Sequence, residues 1–488
     1  MFYFFFSVVL LPALAIFYVI YQRYLHPLAG IPGPFWASLS RLWLVKHCRD
    51  GDMHRVMIAL HERHGKLIRI GPNELSIADI DAIKTVYAAG TKFRKSEWYG
   101  VWQGHRKFDL FAERDERLHG QQRRLVSRPY SMESLKDLEP YVDDAVRVFL
   151  SNMEKSKGQS IDMGNWVQLF AFDVIGEVTF SKPFGFMENG RDDGSFKAIQ
   201  AALWSASWLG QVPWVYWMHD RLMPYIGNHL SVNNRHGGLR TFAATEVSSR
   251  KERGSGRKDI LSKLFTIHDE RPGEFDHAAV VSMATSNIFA GSDTTAVSTR
   301  AIIYYLLKNP LCKQKLIDEI DTFRAQGKIS DPVSLSEADN MPYLQAVMWE
   351  ALRCHPAVGL TLARVVPSEG ATIDGHFIPS GTIVGANPWV VHRIKDIYGE
   401  DVGTFRPERW LEDKNGDKRR YFLTFGAGAR MCLGRNISWM EMSKLIPTLF
   451  MHYEIELTNP EAEWTEKNWW FVMQSGVNCI LQPRKLQV

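Results

Sequence analysis

The chain has 488 residues, 45% of them hydrophobic and 12% aromatic, with a formal net charge of +4. This is material for one large core or about two to three average domains. Charges of both signs are interspersed, which excludes the concentrated basic surface of a nucleic-acid-binding protein.

Residues 2–21, "FYFFFSVVLLPALAIFYVIY", carry no charge and are long enough for a membrane-spanning helix. Arg23 and His26 follow at once and no basic residue precedes, so the positive-inside rule puts the rest of the chain on the cytosolic side. Pro12 is tolerable in such a helix. Ala13-Leu14-Ala15 would serve as a signal-peptide cleavage site, but the basic n-region is missing and apolar residues continue past it. The reading is therefore a membrane anchor over 1–22, a Pro/Gly hinge over 23–36 (including "HPLAGIPGPFW", 26–36) and a single body over 37–488.

Along that body, 66–71 and 74–79 alternate like strands. Residues 141–153 have the amphipathic spacing of a helix. The polar run 248–259, "SSRKERGSGRKD", reads as a surface loop between helices. Residues 277–309 form a helix of about thirty residues stopped by Pro310, with no polar face at its middle, so it should run buried through the protein. A second amphipathic helix covers 311–326, and 371–387 reads as strand-turn-strand. The fold class is mainly α with a small β part.

Two segments carry chemistry. "AGSDTT", 290–295, places a glycine, an acid and two threonines in the middle of the buried helix. They lower helix propensity and bury an acid that needs a partner or a shifted pKa. Either a kink with satisfied hydroxyls or a functional site accounts for them. "FGAGARMCLG", 425–434, holds Cys432, one of five cysteines with Cys48, Cys312, Cys354 and Cys479. No CxxC pair exists, so zinc knuckles, thioredoxin-like sites and a disulfide framework are disfavoured, and reduced thiols are expected. Cys432 falls at or just before the start of a helix that Pro447 should kink or end. Free N–H groups and the helix dipole favour a thiolate there, as a nucleophile or a metal ligand. A nucleophile would want a histidine base, and none is local. A lone thiolate suits a metal already held by another chelator, which points to haem iron.

The set Phe425, Gly428, Arg430, Cys432 and Gly434 resembles the haem-binding signature of the cytochrome P-450 family, and further signatures follow in order along the chain. The resemblance implies that family's fold, with haem b ligated by Cys432. It implies that Glu350 and Arg353 of "EALR" and Arg409 of "FRPERW" form a buried fold-holding network. It implies propionate contacts from Arg430, from His119 and Arg123 of "HGQQR", and from Arg364 of "LARVVP"; the family usually has tryptophan where this chain has His119. In "AGSDTT", Ala290 and Gly291 would leave room for dioxygen, Asp293 and Thr294 would relay protons, and Thr295 would be structural.

The activity so implied is monooxygenation of a lipophilic small molecule, hydroxylation or a related oxidation. No GxGxxG or flavin-type segment occurs here. Electrons would therefore come from NADPH through a membrane-bound reductase, with cytochrome b5 as a second donor, at the endoplasmic reticulum membrane. Segments 97–103, 203–210, 357–362, 472–476 and the first half of the central helix would line the pocket, and their aromatic content points to a ring-containing substrate. "HR" at 392–393 and "FRPERWL" are similar to fungal microsomal members of the pisatin demethylase-like type, which implies secondary metabolism of polyketides, terpenoids, alkaloids or phenolics. A haem-thiolate isomerase or dehydratase, and a haem protein that only binds a ligand, are the competing readings. The acid–alcohol pair speaks against the first.

Overall fold

The computed structural model describes residues 2–230, 232 and 235–484; the side chains of 2–9, 135, 235 and 236 lie outside that description. Its first helix, α1, covers Phe2–Ile20. The expected anchor over 1–22 therefore falls partly outside what is described. Among the described residues no helix is long and apolar enough to cross a membrane. The end of the segment expected as the anchor is tied to the body: buried Arg69 donates to Gln22 O at 2.7 Å and to Gln22 Oε1 at 2.6 Å, and Tyr18 Oη donates to Leu39 O at 2.8 Å.

The body is mainly helical, as expected. The helices that position the site are α2 (Trp98–Gln103), α3 (Glu116–Val126), α4 (Glu139–Lys155), α5 (Met163–Phe180), α6 (Ser195–Leu209), α7 (Pro213–Ile226), α8 (Arg240–Arg253), α9 (Ile260–Glu270), α10 (His277–Lys308), α11 (Pro310–Ala325), α12 (Pro342–Cys354) and α13 (Arg435–His452). The central helix α10 is capped by Asp276, whose carboxylate accepts from Ala279 N at 2.8 Å. It has no polar face because α5, α8, α12 and α13 all pack on it.

Strands β1 (Leu67–Gly71) and β2 (Glu74–Ile77) form the expected hairpin, with Leu67 opposite Ile77. They join β8 (Ile383–Gly385), β5 (Arg364–Val365) and β3 (Arg94–Lys95) in a sheet of order β1-β2-β8-β5-β3, in which β2 and β8 run parallel. The strand-turn-strand segment is a hairpin, β6 (Ala371–Ile373) with β7 (His376–Ile378), followed by β8. Near the C-terminus β4 (Ser160–Asp162), β12 (Asn478–Pro483) and β9 (Tyr453–Leu457) make a second sheet, and β10 (Thr465–Trp469) pairs with β11 (Phe471–Ser475).

One expectation needs correction, and of the two outcomes expected at Pro447 one is excluded. The run 248–259 is a loop only from Gly254 onward. Helix α8 continues to Arg253 because buried Arg250 reaches Asp259 at 2.6 Å, folding the chain back on itself, and Gly254 ends the helix at φ 63°. Helix α13 runs through Pro447 to His452. The missing N–H and ring clash cost about 3 kcal/mol, but the turns around Pro447 are buried on every side, with Leu445, Ile446, Leu449 and Phe450 all in the core.

Candidate active site

Cys432 lies on the loop between a short 3₁₀ turn, Gly428–Arg430, and α13. Its N–H donates to Phe425 O at 2.8 Å, closing the loop on itself. The glycines here have a mechanical reason. Gly426 and Gly428 have φ of 68° and 58°, and a Cβ on Gly428 would lie 2.2 Å from Tyr87 O. The cysteine is reachable by solvent and yet has protein packed around it, so it occupies a recess rather than the outer surface. Burial pushes its thiol up. The N–H groups of Gly434 and Arg435 and the charges of Arg123 and Arg435 act in the opposite direction and favour the thiolate.

The loop is held from one side by a buried ion network. Glu350 Oε1 meets Arg353 Nη2 at 2.8 Å and Arg409 Nε at 2.9 Å, and Glu350 Oε2 accepts from Trp410 Nε1 at 2.8 Å. Arg353 also donates to His392 O at 3.0 Å and Val402 O at 2.8 Å. His392, buried neutral with its pKa pushed down to about 3 by desolvation and by Arg353, pairs through Nδ1 with Arg353 O at 3.2 Å. Its Nε2 accepts from Leu423 N at 2.9 Å. Thr424 Oγ1 donates to Leu352 O at 3.0 Å. The three residues predicted as fold-holding thus meet, and His392 carries their geometry to the residues immediately before Phe425.

A second group of side chains is basic. His119 is buried, and its pKa is pushed down to about 3, first by burial and then by Arg430, Lys95, Arg123 and Arg364. Arg430 pairs with Glu116 at 2.7 Å and donates to Glu113 O at 2.7 Å. Arg123 donates to Met431 O at 2.8 Å, fastening α3 to the cysteine loop. Arg364 donates to Ala363 O at 3.0 Å. Lys95, missed in the sequence, belongs to the same group. It donates to Phe111 O, lies 4.4 Å from the Tyr99 ring centre, and is held well below its usual pKa by burial, Arg364 and Arg430. Nothing in "FRKSEW" distinguishes it from a surface lysine. Among the described residues no carboxylate is paired with Lys95, Arg123 or Arg364. Gathering such charges in a low-dielectric interior is costly unless an anion joins them.

At the middle of α10, Ala290 is exposed although Ile288, Phe289, Ser292 and Asp293 around it are buried, so the helix faces an internal recess there. Thr294 Oγ1 donates to Ala290 O at 2.7 Å. Gly291 packs against α5: a Cβ on it would lie 2.3 Å from Ile175 Cδ1. Asp293 is fully buried, accepts from Gln168 Nε2 at 2.7 Å, and has its pKa raised to about 6 by burial against the opposing pull of Arg300 and Gln168. Thr295 Oγ1 donates to Ser438 Oγ at 3.0 Å, joining α10 to α13.

Four of the segments expected to line a pocket come together around Trp470 and Phe471, which lie just before the expected 472–476. Trp98 of α2 lies 4.6 Å from Trp470, Trp102 lies 5.8 Å from Phe289, and Phe289 lies 6.1 Å from Phe471, ring centre to ring centre. Val358 bridges to Phe471. Gly210 at the end of α6 leaves space for Trp98, whose ring a Cβ there would meet at 2.3 Å. Trp470 forms the tip between β10 and β11 with φ 87°, a conformation rare for a bulky residue. Nothing in "NWWFV" signals it, because Asn468 falls two residues early and the turn position itself is a tryptophan.

A recess backed by a thiolate-favouring loop, with buried cations lacking anionic partners, fits a flat iron-bearing macrocycle with carboxylate arms, which is haem. The cytochrome P-450 family profile matches residues 30–481. The chain is 40% identical to the cytochrome P-450 monooxygenase hepC of Aspergillus oryzae, over 96% of this chain and 95% of that one. It is 38% identical to the cytochrome P-450 monooxygenase cicH of Emericella nidulans, over 97% of both chains. It is 34% identical to a pisatin demethylase of Fusarium vanettenii, over 96% of this chain and 91% of that one. The geometry of the cysteine loop and these likenesses over nearly the whole length agree: the chain belongs to the cytochrome P-450 family of monooxygenases.

Proposed function

We propose that this enzyme inserts one atom of dioxygen into a lipophilic, ring-containing small molecule of fungal secondary metabolism. The observation that carries the reading is the pair Asp293–Thr294 at the one turn of α10 where Ala290 opens into the recess. Cys432 would hold the iron. Lys95, His119, Arg123, Arg364 and Arg430 would hold the propionates, with His119 as a neutral hydrogen-bond donor. Phe425 and Gly434 would flank the ligand cysteine. Haem, when bound, supplies the iron that activates dioxygen, made more electron-rich by the thiolate. The chain's own work is to exclude water with the aromatic wall of Trp98, Trp102, Phe289 and Trp470, to orient the substrate, and to hold and pass protons at Thr294 Oγ1 and Asp293 Oδ2.

Electrons would arrive from an NADPH-dependent reductase, with cytochrome b5 as a second donor, on the cysteine side. Arg117, Arg124 and Arg128 are exposed on and beside α3, the helix tied to Met431. A recess of about 550 Å³ lined by Trp349, Trp410, Trp439, Arg419 and Arg435 opens between α12 and α13. This surface suits an acidic partner. We place the enzyme at the endoplasmic reticulum membrane, anchored by residues 1–22 with the hinge over 23–36 and the body over 37–488 on the cytosolic side. Exposed Leu11, Ile16, Phe17 and Leu25 near the N-terminus, and exposed Trp214, Met218, Tyr225 and Ile226 on α7, support contact with lipid.

The test is turnover under ¹⁸O₂ by the full chain with reductase in lipid vesicles. Substrates are chosen by spin-state shift from lipophilic polyketides, terpenoids, alkaloids and phenolics. One labelled oxygen per product with matching NADPH use supports the proposal. For an oxidative demethylation, the label is sought in the released aldehyde. Unlabelled product formed without NADPH would make the enzyme an isomerase or dehydratase, and a spin-state shift without product would leave a ligand-binding protein.

A further inference from the structure

Between α5 and α10 the buried polar side chains form one continuous chain of contacts. Gln168 Nε2 donates to Asp293 Oδ1 at 2.7 Å, and Arg300 Nη2 donates to Gln168 Oε1 at 2.5 Å. Arg300 Nε donates to Gly164 O at 2.7 Å and its Nη1 to Gln474 O at 3.3 Å. Gln474 Nε2 in turn donates to Val297 O at 2.9 Å. Gln168, Asp293, Arg300 and Gln474 are all buried.

This arrangement fixes an orientation. A guanidinium can only donate, so the oxygen of the Gln168 amide must face Arg300 and its NH₂ must face Asp293. Asp293 Oδ1 is then committed as an acceptor. Oδ2 has no hydrogen-bond partner and is the atom left to take and give up a proton.

Resting on the reading of Asp293 as the proton-handling acid, we propose that Gln168 and Arg300 are its positioning residues. Gln168 locks the carboxyl so that Oδ2 exchanges the proton, and Arg300, through the Gln168 amide, supplies the charge that lets this buried acid ionise.

The backbone is shaped for this role. Asp293 and Arg300 are seven residues apart, two turns along one face of α10. Gly164 lies one turn before Gln168 on α5, and a Cβ there would come 3.2 Å from Arg300 Nε and 3.1 Å from Asp162 Oδ1. A side chain at 164 would crowd the guanidinium. The charged groups around the acid are few. Arg300 acts on Asp293 from its own helix, and Asp162, at the head of α5, acts on Arg300; β11 contributes the neutral Gln474. Burial raises the Asp293 pKa to about 6, with Arg300 and Gln168 opposing it. Without those two the acid would keep its proton at neutral pH rather than exchange it.

The experiment is an infrared pH titration of the Asp293 carboxyl in the resting holoenzyme, isolated by subtracting Asp293→Asn. Gln168→Leu and Arg300→Met should each move the midpoint upward by about one pH unit, a tenfold change in proton affinity. Arg300→Lys should return it toward the wild-type value. The pH profile of product formed per NADPH should move with it. Gln168→Glu keeps the side chain's shape and should raise the midpoint too, so the point is tested even if the apolar variants fold poorly. A midpoint unmoved in the folded variants would overturn the proposal. If Asp293→Asn itself leaves coupling unchanged, the reading of Asp293 is wrong. If Asp293→Asn uncouples while the Gln168 and Arg300 variants titrate like wild type, only the positioning roles are wrong.

Discussion

Two buried carboxylates show how differently this molecule treats its two sides. Glu350 receives hydrogen bonds from Arg353, Arg409, Trp410 and the Arg406 backbone, so its oxygens are fully occupied. Asp293 receives one bond, from Gln168, and its Oδ2 has no partner. The first pattern fixes geometry, because every displacement breaks several charged bonds at once. The second leaves an acid able to change its protonation state. The cysteine loop hangs on the saturated carboxylate, and proton handling is assigned to the unsaturated one.

The largest effect should come from breaking the saturated side. Glu350→Ala leaves two guanidiniums buried without their carboxylate, which should cost about 3–5 kcal/mol. Denaturant unfolding checks this, and loss of most recoverable haem protein should accompany it. Gly428→Ala should cost about 2–4 kcal/mol, since it adds strain at positive φ to a clash with a carbonyl. The same unfolding measurement reads it.

On the other side the effect depends on pH. The folded pKa of Asp293, about 6, lies above its ordinary value of 3.8. Well below pH 3.8 both the folded and unfolded chains hold the proton, and the site is neutral for stability. As pH rises through 4 to 6 the unfolded chain ionises first, and the folded state loses about 3 kcal/mol at this site. Asp293→Asn should therefore leave stability nearly unchanged near pH 3.5 and raise it at pH 7.5, as read by unfolding at the two values.

Thr294→Ala should leave haem binding intact and lower product formed per NADPH by about tenfold or more, with peroxide as the balance. An unchanged ratio would remove Thr294 from proton transfer. The smallest effect tests the cation cluster. Lys95→Met should stabilise the haem-free chain by about 1–2 kcal/mol, because it removes a buried basic group that has no anion beside it. Haem dissociation should become about tenfold faster.

What the sequence made legible follows the same division. The residues of the cysteine loop, "EALR", "FRPERW" and "AGSDTT" could be found because each is a short local spacing. The expected strands at 66–71 and 74–79 and the long buried helix also stood in local periodicity. Lys95, Gln168 and Arg300 could not be found, nor the role of His392 beyond its place in "HR", since each gains its meaning from a partner on another element. Gln168 meets Asp293 across 125 residues of chain, and His392 meets Arg353 across 39. Tertiary burial also overrode local signals, carrying α13 past Pro447 and holding Trp470 at a conformation that sequence would assign to glycine.

The central claim is that Cys432 holds a haem through its thiolate. Its most direct test is the carbon monoxide difference spectrum of the reduced full-length protein in membranes, beside Cys432→Ser. The account predicts a strongly red-shifted Soret band in the wild type and its absence in the variant. The same band in Cys432→Ser would assign the ligand to another cysteine, and no band in folded wild-type protein would contradict haem binding at this loop altogether.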